Sequence, residues 1–448
     1  MDRLSALSAA FLSAEDVDAD SSMVIGSLGV LEGPAPALDD LRALVEERLP
    51  ARYRQRVRRS LLGLRAPAWE DEAGFDVRRH VRRVAVPAPG GRAELAELMG
   101  RTMSERMDRN HPLWDIALCE GLEDGRWALI CRLHHALADG VSGTALLGVV
   151  YDIPDEAAPA TVGVGPASGS RVQRLAGALL GATRGGLALG SALLPVHGPS
   201  VTGPIRSGRR YAWTSVPLSS AKERRRELHV TVNDVALAAV TAGFRTLLDH
   251  RGIEPHPHAI RSLVPVAAWA GSGLDTPDNR VTLMLADLPV DVEHPVERVR
   301  AVHELVARLR HHGEPEAGVV AQQLIGAVPY PLVENATRLA LRLPHHHLST
   351  VTTNVPGPRQ PLTCLGRRVE QLLPYVPIAD RVCIGVAMFS YCGVLTFGVT
   401  SDLDVTDLDV LVDGIEAGWW ELAGGVGTEG PSGRGRVTLP ARTAPREA

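Results

Sequence analysis

The chain has almost no lysine. Lys222 is the single one, so nearly all the positive charge is arginine. Beside so much alanine, glycine and proline this reads as the codon bias of a GC-rich genome, and no function follows from it. Cysteine is scarce as well. Cys119, Cys131, Cys364, Cys383 and Cys392 are odd in number, widely spaced and without a Cys-x-x-Cys. That excludes a disulfide framework and a zinc pattern and fits a reducing compartment. His345-His346-His347 lacks partners at ligand spacing, so it reads as an exposed loop and no metal site is expected. The chain contains no Gly-x-Ser-x-Gly elbow of the serine-hydrolase kind. Its first residues, MDRLSALSAAFLSAEDVDAD, carry no net positive leader and turn acidic early, unlike a signal peptide. The expected location is cytoplasmic. A formal net charge of −5 gives no sign of nucleic-acid binding. Arginines do cluster in Arg52–Arg59 and Arg78–Arg83, where a solvated face is favoured over an anion-binding one.

What is present is an ordinary globular balance, 45% hydrophobic and 22% charged over 448 residues, long enough for two or three domains. Strand-like and helix-like stretches alternate, so the fold class is α/β. Strands are expected at Met23–Leu31, Trp127–Leu133, Arg261–Val266, Val281–Val290, Leu348–Asn354, Val382–Phe389 and Val394–Thr400. Helices are expected at Leu38–Leu49, Arg92–Arg106, Asn233–Leu248 and Asp407–Leu422, with Asn233 and Asp234 as a capping pair. The organisation reads as a first unit over residues 1–155, a Pro/Gly/Ala/Ser-rich crossover over 156–210, a second unit over 211–423 and a disordered tail over 424–448. Within the crossover, Leu175–Leu194 is apolar but has Arg184 near its middle and five glycines, which argues against a membrane span. A packed crossover helix and a helix at a membrane interface both remain open.

The most informative segment is His134-His135-Ala136-Leu137-Ala138-Asp139-Gly140. A buried strand precedes it and an apolar helix follows from Val141, so the histidines stand where a strand gives way to a loop. A neutral imidazole there can take a proton from a hydroxyl near neutral pH. Asp139 can fix the loop, and Gly140 permits a backbone angle other residues resist. Structural histidines with Asp139 as a helix cap are the alternative for this segment alone. Trp114 is readable as a core aromatic and Asn233 as a helix cap.

Four further segments accompany this one: Pro112-Leu113-Trp114, Asn233-Asp234-Val235-Ala236-Leu237-Ala238, Asn354-Val355-Pro356-Gly357-Pro358 and Ser390-Tyr391. Together, from about Leu4 to Leu422, they resemble the bacterial wax ester synthase/diacylglycerol acyltransferase family, of the chloramphenicol acetyltransferase and condensation-domain superfamily. The chain departs from the family pattern at Ser22–Gly26, at Asp278-Asn279 and at Val266–Trp269; the last two bear on acceptor specificity. The resemblance implies two chloramphenicol-acetyltransferase-like subdomains, each a sheet with helices, with a tunnel between them. It implies transfer of a long-chain acyl group from CoA to diacylglycerol or a long-chain alcohol, giving triacylglycerol or wax ester. It makes His135 the general base, with His134 in support, Asp139 and Gly140 shaping the loop, and Trp114, Asn233 and Asp234 at the substrate. Acyl-CoA is then a co-substrate and no cofactor is expected. A peripheral place on the inner membrane or on lipid droplets is compatible with such substrates. The alternatives are the same chemistry on a secondary-metabolite alcohol, or a catalytically idle lipid-binding relative.

Overall fold

The computed structural model describes residues 2–60, 66–137, 145–153, 201–267, 281–311, 335 and 348–423. Asp139, Gly140, Leu175–Leu194, Asp278-Asn279, His345–His347 and the tail from Gly424 lie outside them. The first part of the chain supplies β1 (Val24–Leu31), β2 (Gln55–Arg58), β3 (Ala68–Asp71), β4 (Val81–Ala85), β5 (Trp114–Glu120) and β6 (Trp127–His134). The second supplies β7 (Arg209–Pro217), β8 (Ile260–Ala267), β9 (Val281–Leu288), β10 (Thr350–Val355), β11 (Thr363–Cys364), β12 (Arg367–Tyr375), β13 (Ile384–Tyr391) and β14 (Val394–Asp402).

These strands form two six-stranded sheets and a small β2–β3 ribbon. The first sheet runs β11-β12-β1-β6-β5-β4 and the second β7-β14-β13-β10-β8-β9. β6 is buried along its whole length, with the apolar run Trp127–Cys131 as expected of an interior strand and Arg132 and His134 buried beyond it. In the second sheet β10 lies parallel to both β8 and β13, and the other pairs are antiparallel.

The two parts of the chain share a sheet. β11 and β12 come from the second part of the chain, yet β12 pairs with β1 along Gly26–Leu31 in the first sheet. The reason lies in the sequence after β10. Pro356 and Pro358 cannot continue a ladder, and Gly357 sits so close to the neighbouring strand that a Cβ would lie 2.1 Å from the Ser390 carbonyl oxygen. The Gly357 N–H donates to Ser390 Oγ, and the Tyr391 hydroxyl accepts from Leu362 N–H and donates to the Val369 carbonyl. The Pro-Gly-Pro turn and Ser390-Tyr391 thus steer the chain from one sheet to the other. β7 starts at Arg209, and ahead of it Thr202 bridges to Val382.

A core cluster fills each half, and a third fills the junction. At the junction Leu95, Leu98, Met99 and Met103 of the Arg92–Ser104 helix pack beside Tyr211 and Trp213 of β7 and Leu373 and Tyr375 of β12. The Tyr211 hydroxyl donates to the Pro374 carbonyl at 2.8 Å, and the Arg92 guanidinium lies over the Trp213 ring at 4.1 Å. Gly100 allows the close approach, because a Cβ there would stand 2.4 Å from the Arg209 carbonyl oxygen. No helix among the described residues is long and apolar enough to cross a membrane.

Candidate active site

The two histidines end β6, and their surroundings separate them. His134 is fully buried, whereas His135 is only part-buried. Backbone hydrogen bonds clamp both from opposite sides. His134 N–H donates to the Leu113 carbonyl at 2.9 Å, and His135 N–H donates to the Met23 carbonyl at 2.8 Å. The chain then turns, with Leu137 N–H donating to the His134 carbonyl. Pro112-Leu113-Trp114 therefore acts here through the Leu113 backbone. Trp114 is 1% exposed, donates its indole N–H to the Tyr53 carbonyl at 2.7 Å, and stacks on His80 with centroids 4.6 Å apart. Packing accounts for each of these contacts.

The wall behind the histidines is the Ala6–Val17 helix, capped by the Ser5 side chain accepting from Ser8 N–H. Ser8, Phe11 and Glu15 are spaced along one helical face, and each reaches the histidine turn. Ser8 Oγ donates to the Ala136 carbonyl at 2.9 Å. The Phe11 ring stacks on His135, with centroids 3.9 Å apart and planes 24° from parallel. Glu15 Oε1 lies 3.2 Å from His134 Nε2 and accepts the Met23 N–H at 2.7 Å. Arg109 closes the network, donating to Glu15 Oε2 at 2.9 Å and to Asp16 Oδ1 at 2.6 Å. Arg106 and, from β7, Arg209 donate to backbone carbonyls between Glu15 and Ser21, which ties this wall to the second half.

Glu15 is 2% exposed. Burial alone would raise its carboxyl, but the His134 contact, the Met23 N–H and the Arg109 guanidinium outweigh it and hold the group down to about 2. Glu15 is thus a carboxylate at working pH. His134 Nδ1 accepts the Ala136 N–H at 3.0 Å. With Nδ1 engaged as an acceptor, the ring proton belongs on Nε2, the nitrogen facing Glu15, an assignment drawn from the hydrogen-bond pattern.

In the second half the capping pair differs from the sequence expectation. The N-cap of the Val232–His250 helix is Thr231, not Asn233. Thr231 has the extended backbone a cap needs. Its hydroxyl accepts the Asp234 N–H at 3.2 Å, and Asp234 Oδ2 accepts the Thr231 N–H at 2.8 Å. The same Asp234 oxygen lies 2.8 Å from His303 Nδ1. Asp234 is 2% exposed and engaged in these structural bonds. Asn233 stands inside the first turn, and its Oδ1 accepts from Asn354 Nδ2 at 2.9 Å. Two motifs far apart in sequence are thereby joined, the head of this helix and the end of β10. Sequence reasoning did not find Ser8, Phe11, Glu15 or Arg109. The signal was there as the 8-11-15 spacing on an amphipathic segment, but nothing local says that its face meets residues 134–136.

The chain matches the wax ester synthase/diacylglycerol acyltransferase catalytic domain over residues 4–194 and the C-terminal domain of that family over residues 278–422. It belongs to the wax ester synthase/diacylglycerol acyltransferase family. It is 40% identical over 438 residues to the Mycobacterium tuberculosis protein named "Probable diacylglycerol O-acyltransferase tgs1", covering 93% of this chain and 94% of the relative. Among solved structures it is similar to the wax ester synthase/diacylglycerol acyltransferase of Marinobacter aquaeolei VT8, at 26% identity and a TM-score of 0.70, covering 95% of this chain and 100% of that one. The first condensation domain of the calcium-dependent antibiotic synthetase shares the fold, at 16% identity and a TM-score of 0.58, over 94% of this chain and 97% of that one.

Proposed function

We propose that this protein transfers a long-chain acyl group from acyl-CoA to the hydroxyl of diacylglycerol or a long-chain alcohol, with His135 as general base. The observation that carries the assignment is the sorting of the two imidazoles. His134 is sealed behind Glu15, while His135 is part-exposed, with one ring face against Phe11 and its backbone clamped to Met23. In the reaction His135 takes the hydroxyl proton as the oxygen attacks the thioester carbonyl. The tetrahedral adduct collapses, the C–S bond breaks, and the imidazolium returns the proton to the CoA thiolate, leaving ester and free CoA. The oxyanion needs a donor. Asn233, whose carbonyl oxygen is already occupied by Asn354, has its NH2 to offer, and a backbone N–H near Gly140 is the second candidate. Asp139 holds the loop in this scheme. A tunnel between the halves brings the two substrates together, and the enzyme works at the membrane or lipid-droplet surface where its acceptors reside. CoA enters as co-substrate, and the scheme calls on no cofactor.

The test is the full chain with palmitoyl-CoA, offered diacylglycerol and a long-chain alcohol separately, scoring thiol release and ester. His135→Ala is expected to lower turnover about 10²–10⁴-fold at an unchanged melting temperature. A variant that keeps more than about a tenth of wild-type turnover refutes the general-base assignment.

A further inference from the structure

We propose that Glu15 is a positioning residue for the acyl-transfer reaction: its carboxylate holds the ring of His134 with a proton on Nε2 and, through Met23, fixes the backbone from which His135 is presented. This rests on the reading of His135 as the base.

The geometry supports one connected device. His134 Nδ1 is occupied by the Ala136 N–H, so this ring has one proton to place and Glu15 Oε1 is 3.2 Å from the nitrogen that must carry it. That same oxygen accepts the Met23 N–H, and the Met23 carbonyl accepts the His135 N–H. A single carboxylate therefore faces the ring of one histidine and anchors the main chain of the other. Were His134 to carry its proton on Nδ1, that hydrogen would oppose the Ala136 N–H. The turn at Ala136 would have to open, and its carbonyl is what Ser8 holds. The hydrogen bond on one ring nitrogen sets which proton the other carries. Arg109 keeps the carboxylate charged and aimed, from a guanidinium shared with Asp16 and the Leu12 carbonyl. Glu15 is too buried behind His134 to meet a substrate itself, so its effect falls on the orientation of the base.

Three variants test this in the full-length protein: Glu15→Gln, His134→Asn and the two combined. The asparagine keeps an acceptor for the Ala136 N–H but has no tautomer to set. With palmitoyl-CoA and dispersed diacylglycerol, Glu15→Gln should lower kcat about 10²-fold, as small misplacements of a reacting group do. KM for palmitoyl-CoA should stay within about twofold. The double variant should be no slower than the slower single one, because both act on the same step. If Glu15→Gln keeps kcat within about twofold of wild type, or if the two losses multiply, the inference falls. A direct readout needs neither turnover nor a folded glutamine variant. In 15N-histidine spectra of the wild type, the signal absent from His134→Asn should show protonation at Nε2. Protonation at Nδ1 overturns the proposal. Should His135→Ala remain active, the general-base reading fails while the spectrum still reports on Glu15 and His134.

Discussion

Replacing Glu15 by glutamine should change how the protein responds to acid, and the contacts of the carboxylate fix the sign. The carboxyl stands at about 2 in the folded chain against an ordinary value of 4.5. A group depressed by folding contributes its stability in full above its unfolded value and loses it as the pH falls toward the folded one. The window therefore runs from about 4.5 down to about 2. The gap corresponds to at most about 3 kcal/mol at neutral pH, and about 1 kcal/mol of it is lost on going from about pH 6 to about pH 3.5. Glutamine cannot titrate, every other carboxylate is common to the two proteins, and with Nδ1 accepting the Ala136 N–H the turn opposes a second proton on His134 in both. The stability difference between wild type and Glu15→Gln should thus shrink by about 1 kcal/mol between those two pH values. Urea unfolding followed by tryptophan fluorescence at each pH measures it. A difference constant to within about 0.5 kcal/mol would show that the contacts of Glu15 do not hold its charge as described.

Two substitutions test the frame around the site. Trp114→Ala should cost about 3–5 kcal/mol in urea unfolding, because the ring is buried and its N–H is engaged by Tyr53; a cost under about 1 kcal/mol would return Trp114 to the substrate-lining role. Gly100→Ala should lower the melting temperature although alanine favours a helix by about 1 kcal/mol, since the new methyl group would meet the Arg209 carbonyl at 2.4 Å and push β7 away; a rise in melting temperature would mean that the junction yields freely.

What the sequence shows well is whatever depends on near neighbours. The strand ending in His134, the Arg92–Ser104 helix and the last helix, Leu408–Ala423, all follow from apolar periodicity within a few residues of where it places them. The histidine turn is legible for the same reason, as a strand running into a loop. What is not legible depends on contacts across the chain. β12 mixes arginine, glutamate and glutamine with leucines and has no clear alternation, and only the partner strand β1 makes it a member of the first sheet. Asn233 looks like a cap because asparagine favours caps, yet Thr231 two residues earlier takes that place and Asn233 answers to Asn354 instead. Glu15 is the sharpest case. In the sequence it opens an acidic run that bears only on targeting. In the fold its neighbour Asp16 is exposed and pairs with Arg59 and Arg109, as such a run would suggest, while Glu15 turns inward to His134. One step along a helix rotates a side chain by about 100°. That rotation separates a solvated charge from the carboxylate behind the histidines, and only the histidine turn that the helix meets decides which of the two is turned in.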